Sequence, residues 1–533
     1  MPLADSSLHQ PPARRGGLSL VAVALIAAAL SVLSLVYFYR QGATNWYGDG
    51  VAHVNIARKV VDHPDDSLWQ RYIQIGSPWL PLQTALMLPL VRDDTLWRTG
   101  LAGSIVSMVS FVIAALALYL NARRLYSREA ERLRSALPAL SVACFVLNPS
   151  ALYMQSTPMS EMVFMAALAC SVWVFHRWAE NQTTRKLAMA ALAMSVATLS
   201  RYEAWAVAAT AILLVPLVSR GGFTSRLRAA LTFAPLALIG PVYWLWHNWA
   251  IYGNAIEFLT GTYSARGVSQ GESSLGWSKI FSGNAAADLL LMLGAVSVCA
   301  GPVLLMLAVA GSVRVIASRR SLIVIAPALL LCVPFVFHVL SLYRGEIQLF
   351  PLSAFGLLNV RYGLLHLLPI ALFAPGVVLL AGRVGRTIAV VGFCLLLTGQ
   401  YAYLLSEGAS QLAIYQEAYR NGVNSQPARE RARFAELLAG DPPRPTILMH
   451  TGALGPLVAR GGWRFADTIH EGTMRWHRLG NGIPADVETV IIQAGDPLDR
   501  LIKERPELAR DLATDFRESL AMGRIKLFRR LTQ

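Results

Sequence analysis

Charge is scarce in this sequence. Asp, Glu, Lys and Arg make up 15% of the 533 residues, against 55% hydrophobic, where a soluble chain carries about a quarter charged. That shortage excludes an ordinary water-soluble enzyme of this length. Cysteine is also sparse, and all five (Cys144, Cys170, Cys299, Cys332, Cys394) fall inside apolar runs. Such spacing gives neither a disulfide framework nor a metal-binding pattern, so the thiols read as small buried hydrophobes. Internal repeats and low-complexity tracts are missing as well. Their absence counts against the repeat-built transporters, whose interrupted spans meet near the midplane.

What the sequence does have is apolar stretches of about 18 residues or more, broken by short Arg-rich loops. In lipid the backbone must satisfy its own hydrogen bonds, so these spans are helices. The runs fall near 18–38, 100–120, 136–152, 160–178, 187–200, 204–218, 229–249, 286–313, 322–342, 364–382 and 388–405. The expected fold class is an all-α polytopic membrane bundle of about eleven transmembrane helices, followed by a small C-terminal α/β domain. The run at 187–218 is divided only by Ser200-Arg201-Tyr202-Glu203, and 136–152 is short, with Asn148-Pro149 near its end.

The net charge of +15 is concentrated in alternate loops: Arg14-Arg15, Arg123 to Arg134, Arg177 to Lys186, Arg220 to Arg228, Arg314 to Arg320 and Arg383 to Arg386. That is the positive-inside pattern. The charge therefore reports topology, and nucleic acid is not an expected partner. The N-terminus is expected inside, Leu18 to Phe38 is read as a retained first span, and an odd number of spans puts the C-terminus outside. The excess of Arg over Lys and the abundance of Ala suit a bacterium with GC-rich DNA, hence its inner (cytoplasmic) membrane.

Two modules are expected. Residues 1–405 form the membrane module, with a long first outer loop at 40–99. In that loop Gly50 to Asp62 sets Val51, Val54, Ile56, Val60 and Val61 largely along one helical face, opposite Arg58 and Lys59, as an interfacial helix would. Trp79 to Val91 is too short and Pro-punctuated to span. Residues 406–533 turn polar and form the outer domain, entered through the stiff linker Asp441-Pro442-Pro443-Arg444-Pro445. Strands are expected at Ile447 to His450, Thr489 to Gln493 and Ile525 to Phe528, with a helix from Asp496 to Leu512.

Ionisable residues gather at the outer ends of spans, where folding does not require them. Asp49, in Asn45-Trp46-Tyr47-Gly48-Asp49-Gly50, lies shortly after the first span. It suits both an N-cap for the following helix and a catalytic carboxylate. His53 is one turn on, placed to orient it, pair with it or share a metal. Glu161 opens a later span after Pro158-Met159-Ser160, where an acid also suits the helix dipole. Arg201 sits with Tyr202 and Glu203 at the next outer turn. Arg361 and Tyr362, in Asn359-Val360-Arg361-Tyr362-Gly363, precede another span, where a guanidinium can grip a phosphate bidentately or anchor the interface. Lys59, Arg71 and Arg266 are further cationic candidates at the outer side.

These pieces together resemble the GT-C superfamily of polytopic glycosyltransferases, in particular the branch holding protein O-mannosyltransferases and the aminoarabinose transferases of lipid A. The resemblance rests on Gly48-Asp49-Gly50 after the first span, the long first loop, Pro158-Met159-Ser160-Glu161, and Asn359-Val360-Arg361-Tyr362 before a span. It implies an inverting glycosyltransferase that moves a sugar from a polyprenyl-phosphate-linked donor to an extracytoplasmic acceptor, whether protein, lipid or polysaccharide. Asp49 takes the role of base or acceptor-positioning carboxylate, with Glu161 as a second catalytic acid; His53, Arg201, Arg361 and Tyr362 are expected to bind substrate. Many members carry an acidic pair where this chain has Asp49-Gly50, which leaves a divalent metal as an open cofactor. A membrane transporter or lipid flippase and a non-catalytic membrane scaffold are the rival classes.

Overall fold

The computed structural model describes residues 18–64, 67–267, 282–318, 322–351, 356–406, 408–440 and 446–531. Arg14-Arg15, Arg319-Arg320, much of the outer loop at 250–285 and the linker Asp441 to Pro445 lie outside the described residues. The expected apolar runs are helical over most of their length. Among the described residues, seven helices are long and apolar enough to cross a membrane: Leu20–Arg40, Leu101–Leu125, Glu161–Glu180, Phe223–Tyr252, Ile323–Tyr343, Val360–Leu380 and Arg386–Leu404. Glu203–Val218 is apolar but shorter.

The run at 286–313 differs from expectation. It forms two helices, Ala285–Ala300 and Pro302–Ala317, bent by 110° at a single break; counted as one span, the pair raises seven to eight. Gly301 makes the bend with φ at 97°, and Pro302 cannot donate back across it. The backbone groups freed there are held by one buried side chain. Gln400 accepts from Leu304 N at 2.9 Å and donates to the Ala300 carbonyl at 3.0 Å, the internal satisfaction that a break at membrane depth requires. Elsewhere 136–152 is interrupted after Val146, and a new helix starts at Pro149 with Asn148 capping Ala151 N at 2.9 Å.

The first outer loop carries the helix Gly48–Val61, but its polar side is not left to water. Arg58 is 4% exposed. It bonds Asp62, Asp94 and the Val91 carbonyl, and lies over the Trp97 ring at 4.4 Å. The reason is a neighbour that helical periodicity alone does not reveal: the C-terminal segment packs onto this loop. Its five-stranded sheet has the order β2-β1-β3-β5-β4. The strands are β1 (Ile447–Met449), β2 (Thr468–Ile469), β3 (Thr489–Gln493), β4 (Phe516–Met522) and β5 (Ile525–Arg530). β2, β1 and β3 run parallel, and β5 and β4 are antiparallel.

Alternation along β3 sorts its side chains onto two cores. Ile491 joins Phe434, Leu454 and Leu457, which pack with Val54, Ala57, Met87 and Trp97 of the first loop. Val490 and Ile492 face Leu498, Ile502 and Leu508 on the other side. The helix expected over 496–512 is two, Pro497–Glu504 and Pro506–Asp515, because Pro506 ends the first and starts the second. The short helix Ala413–Tyr419 belongs elsewhere: Leu412, Ile414 and Ala418 pack in the core of the membrane bundle.

Candidate active site

The helix Gly48–Val61 starts one residue before Asp49, with Tyr47 in the N-cap position, so Asp49 is not the cap. It lies in the first turn, and its carboxylate reaches away to Arg361, Oδ2 to Nη2 at 2.6 Å. Gly50 owes its place to a close approach. A Cβ there would meet Pro158 Cγ at 2.9 Å, and one on Gly103 would meet Pro158 Cβ at 2.3 Å. These two glycines seat Pro158, and the chain just beyond it delivers Ser160 and Glu161.

Arg361 is the centre of the site. It sits in the 3-10 helix Val360–His366, launched by Asn359 at φ 53°, a conformation that Asn tolerates better than most residues. Gly363 lets this turn lie on the neighbouring helix, since a Cβ would come within 2.2 Å of the Ala295 carbonyl oxygen. Besides Asp49, the guanidinium meets Glu161 at 3.4 Å and Glu417 at 3.2 Å. The rings of Tyr47 and Tyr362 each lie 5.4 Å from its centre. Glu417 also accepts from the Asn359 amide at 2.8 Å, which fixes the turn from outside.

Arg201 completes the network, 3.3 Å from Glu161 and 2.9 Å from Glu203, with Tyr362 against it as well. His338 Nε2 donates to Glu203 over 3.0 Å, and its ring stacks on Tyr362. Burial pushes the carboxyl of Glu417 up, while Arg361 pulls it down. His53 is buried against Trp79, its rings 4.8 Å apart, and desolvation lowers its pKa to about 4. It is therefore neutral near pH 7, and its Nδ1 is buried with no hydrogen-bond partner among the described residues.

The six residues expected to catalyse or to bind substrate (Asp49, His53, Glu161, Arg201, Arg361 and Tyr362) line one cavity of about 630 Å³, whereas Arg71 does not. Exposure separates the acids. The Asp49 side chain is 42% exposed, whereas those of Glu161, Glu203 and Glu417 are 0%, 5% and 1% exposed. Of these four, Asp49 is the carboxylate that a reactant can reach. Lys59 pairs with Glu471 of the C-terminal segment at 3.3 Å, and Arg266 does not line the cavity. Among the described residues no group of three or more His, Cys, Asp or Glu is placed to hold a metal ion. The carboxylates of Asp49 and Glu161 are turned to guanidinium groups, and that donor set does not fit a divalent cation.

Glu417 and His338 went unrecognised in the sequence. Glu417 is flanked by Tyr415 and Tyr419 beyond the last span, an aromatic signature of a chain returning to the membrane interface. His338 is an ionisable residue inside an apolar span, which by itself marks a functional position.

Residues 86–246 match the family described as dolichyl-phosphate-mannose-protein mannosyltransferase. Among solved structures the chain is similar to ArnT from Cupriavidus metallidurans, both bound to undecaprenyl phosphate and in the apo state. Identity is 14% and the TM-score 0.53 in each case, over 96% of this chain and 97% and 96% of that one. The oligosaccharyltransferase of Archaeoglobus fulgidus in its apo form matches 95% of this chain and 74% of its own, at 13% identity and a TM-score of 0.47. No curated protein matches. With the mannosyltransferase match inside it, the end-to-end likeness to ArnT identifies the chain as one with the fold of the GT-C superfamily of membrane glycosyltransferases.

Proposed function

We propose that the protein is a multi-pass membrane glycosyltransferase that moves a sugar from a polyprenyl phosphate carrier to a hydroxyl group on an acceptor outside the cytoplasm, inverting the anomeric carbon. One observation carries the reading: an accessible carboxylate, Asp49, stands beside a buried guanidinium, Arg361, in a cavity between the ends of apolar helices. One solved structure of ArnT, which shares the fold, is bound to undecaprenyl phosphate, the kind of carrier this cavity suits.

Asp49 takes the proton of the acceptor hydroxyl as its oxygen attacks the sugar. The bond to the carrier phosphate breaks, and Arg361 and Arg201 stabilise the charge gathering on that phosphate. Before the donor arrives, Arg361 is occupied by carboxylates. The donor phosphate competes with Asp49 for Nη2, and losing that partner leaves Asp49 free to act as base. Glu161 is fully buried between the two arginines. Its role is positioning, holding both guanidinium groups at the spacing of one phosphate. His53 and Tyr362 contact the substrates from either side.

In this reading residues 1–405 are the catalytic membrane module, and 406–533 form an extracytoplasmic domain in the periplasm of a bacterial inner membrane. Reporter fusions near Arg386 and near Gly440 are expected to report opposite sides, with Arg386 cytoplasmic. Two cytoplasmic signals would move the site to the wrong face. The activity itself is tested with purified full-length protein and a panel of undecaprenyl-phosphate-linked sugars. Release of undecaprenyl phosphate that depends on added envelope glycoconjugates is expected for at least one sugar, and release from none of them rejects the reading.

A further inference from the structure

The cavity does not end at Arg361. Its outer rim is built by the C-terminal segment, with Asn421, Ser425, Ala428 and Arg431 on one side and Pro456 and Arg460 on the other. The floor and rim differ in charge. On the floor, Arg201 and Arg361 meet Asp49, Glu161, Glu203 and Glu417, so each cation has carboxylate partners. On the rim, Arg431 and Arg460 have neither a hydrogen bond nor an ion pair with any described residue. Both line the same cavity, where after burial the charge of Arg460 lowers the pKa of Arg431 while the adjacent Glu430 raises it.

Arg431 is half-buried and Arg460 exposed at the cavity mouth, and like charges brought together there repel. Arg460 lies in the last turn of the helix Thr451–Arg460, where the helix dipole favours a cation. That accounts for one of the pair. Arg431 has no such reason, because it lies in the body of the helix Gln426–Gly440. A guanidinium pair facing a common space matches the geometry of a phosphate or carboxylate, which it can grip through several donors at once.

We propose that Arg431 and Arg460 form an anion-binding subsite for the acceptor. The acceptor is then a molecule with the attacked hydroxyl at Asp49 and a phosphate or carboxylate group held at the rim. This inference rests on the sugar-transfer reading above, in which the carrier phosphate takes Arg361 on the floor. The rim anion is therefore a second, separate one, and the two bind together.

The test uses full-length protein in nanodiscs with saturating undecaprenyl phosphate, and measures binding of glucose 6-phosphate against glucose as the uncharged control. Glucose 6-phosphate is expected to bind more tightly than glucose by about tenfold or more, with an affinity that falls as salt rises. Arg431→Gln with Arg460→Gln should abolish that preference and leave undecaprenyl phosphate affinity unchanged; Lys at both positions should retain part of it. Equal binding of glucose and glucose 6-phosphate by the unaltered protein overturns the proposal without any variant. Loss of undecaprenyl phosphate affinity in the Gln pair also overturns it, by assigning the rim to the carrier. Failure of the unaltered protein to bind undecaprenyl phosphate at all is a different result, and it counts against the sugar-transfer reading instead.

Discussion

Asp49→Asn is expected to lower turnover by about 10²–10⁴-fold, the usual cost of losing a general base, while donor binding is kept or tightened. The direction of the second effect is the informative part. In the resting site Asp49 holds Arg361 at 2.6 Å, so it competes with the donor phosphate for the same guanidinium edge. Asn still accepts a hydrogen bond there but has no charge, which makes it the weaker competitor. The fold should survive, because Glu161 and Glu417 remain on Arg361 and Asp49 does not cap its helix. Turnover and undecaprenyl phosphate affinity measured on the same preparation decide the matter. Near-normal turnover, or donor affinity falling in step with it, would remove Asp49 from the role of base.

Arg361→Ala should damage both stability and function, and the two can be separated. Removing the guanidinium leaves Glu417, 1% exposed, without its ion-pair partner, while Glu161 keeps Arg201. Stranding a buried charge in this way costs about 3–5 kcal/mol. Donor binding should also lose a charge-assisted contact of about 1.5–3 kcal/mol. Adding Glu417→Gln to Arg361→Ala removes the stranded carboxylate, and is expected to recover thermal stability but not turnover. Arg361→Lys keeps the charge without the planar fork and should fall between. Thermal unfolding, donor binding and turnover on all three variants provide the check. A doubly substituted protein that turns over normally would show that Arg361 serves only to hold the fold together.

Much of this site is legible in the sequence. Ionisable residues at the ends of apolar runs stand out because lipid makes them expensive, and Asp49, Glu161, Arg201 and Arg361 were found on that ground alone. What a single sequence withholds is pairing across long separations. Asp49 and Arg361 are 312 residues apart, and nothing local to either says that they touch. Glu417 is harder still, since it follows the last span and looks like part of a soluble segment. The break at Gly301 was missed for a related reason: an apolar run has no polar interruption where the polar group that mends it, Gln400, comes from another helix. Arg58 stands opposite the valine face of an interfacial helix, and its partners Asp94 and Trp97 lie too far along the loop for helical periodicity to reveal them.

That shared packing has a consequence for biosynthesis. The first loop, which carries Asp49, is among the earliest parts to leave the ribosome, yet Val54, Ala57 and Trp97 find their apolar partners at Phe434, Leu454, Ile491 and Leu527. Glu417, which holds the Arg361 turn, also arrives late. The bundle can be threaded into the membrane helix by helix while the reaction centre stays unassembled. Only the segment beyond the last span closes it. A ribosome that stalls or a protease that clips the tail would then leave an inserted but silent protein, so that partial chains cannot spend lipid-linked sugar.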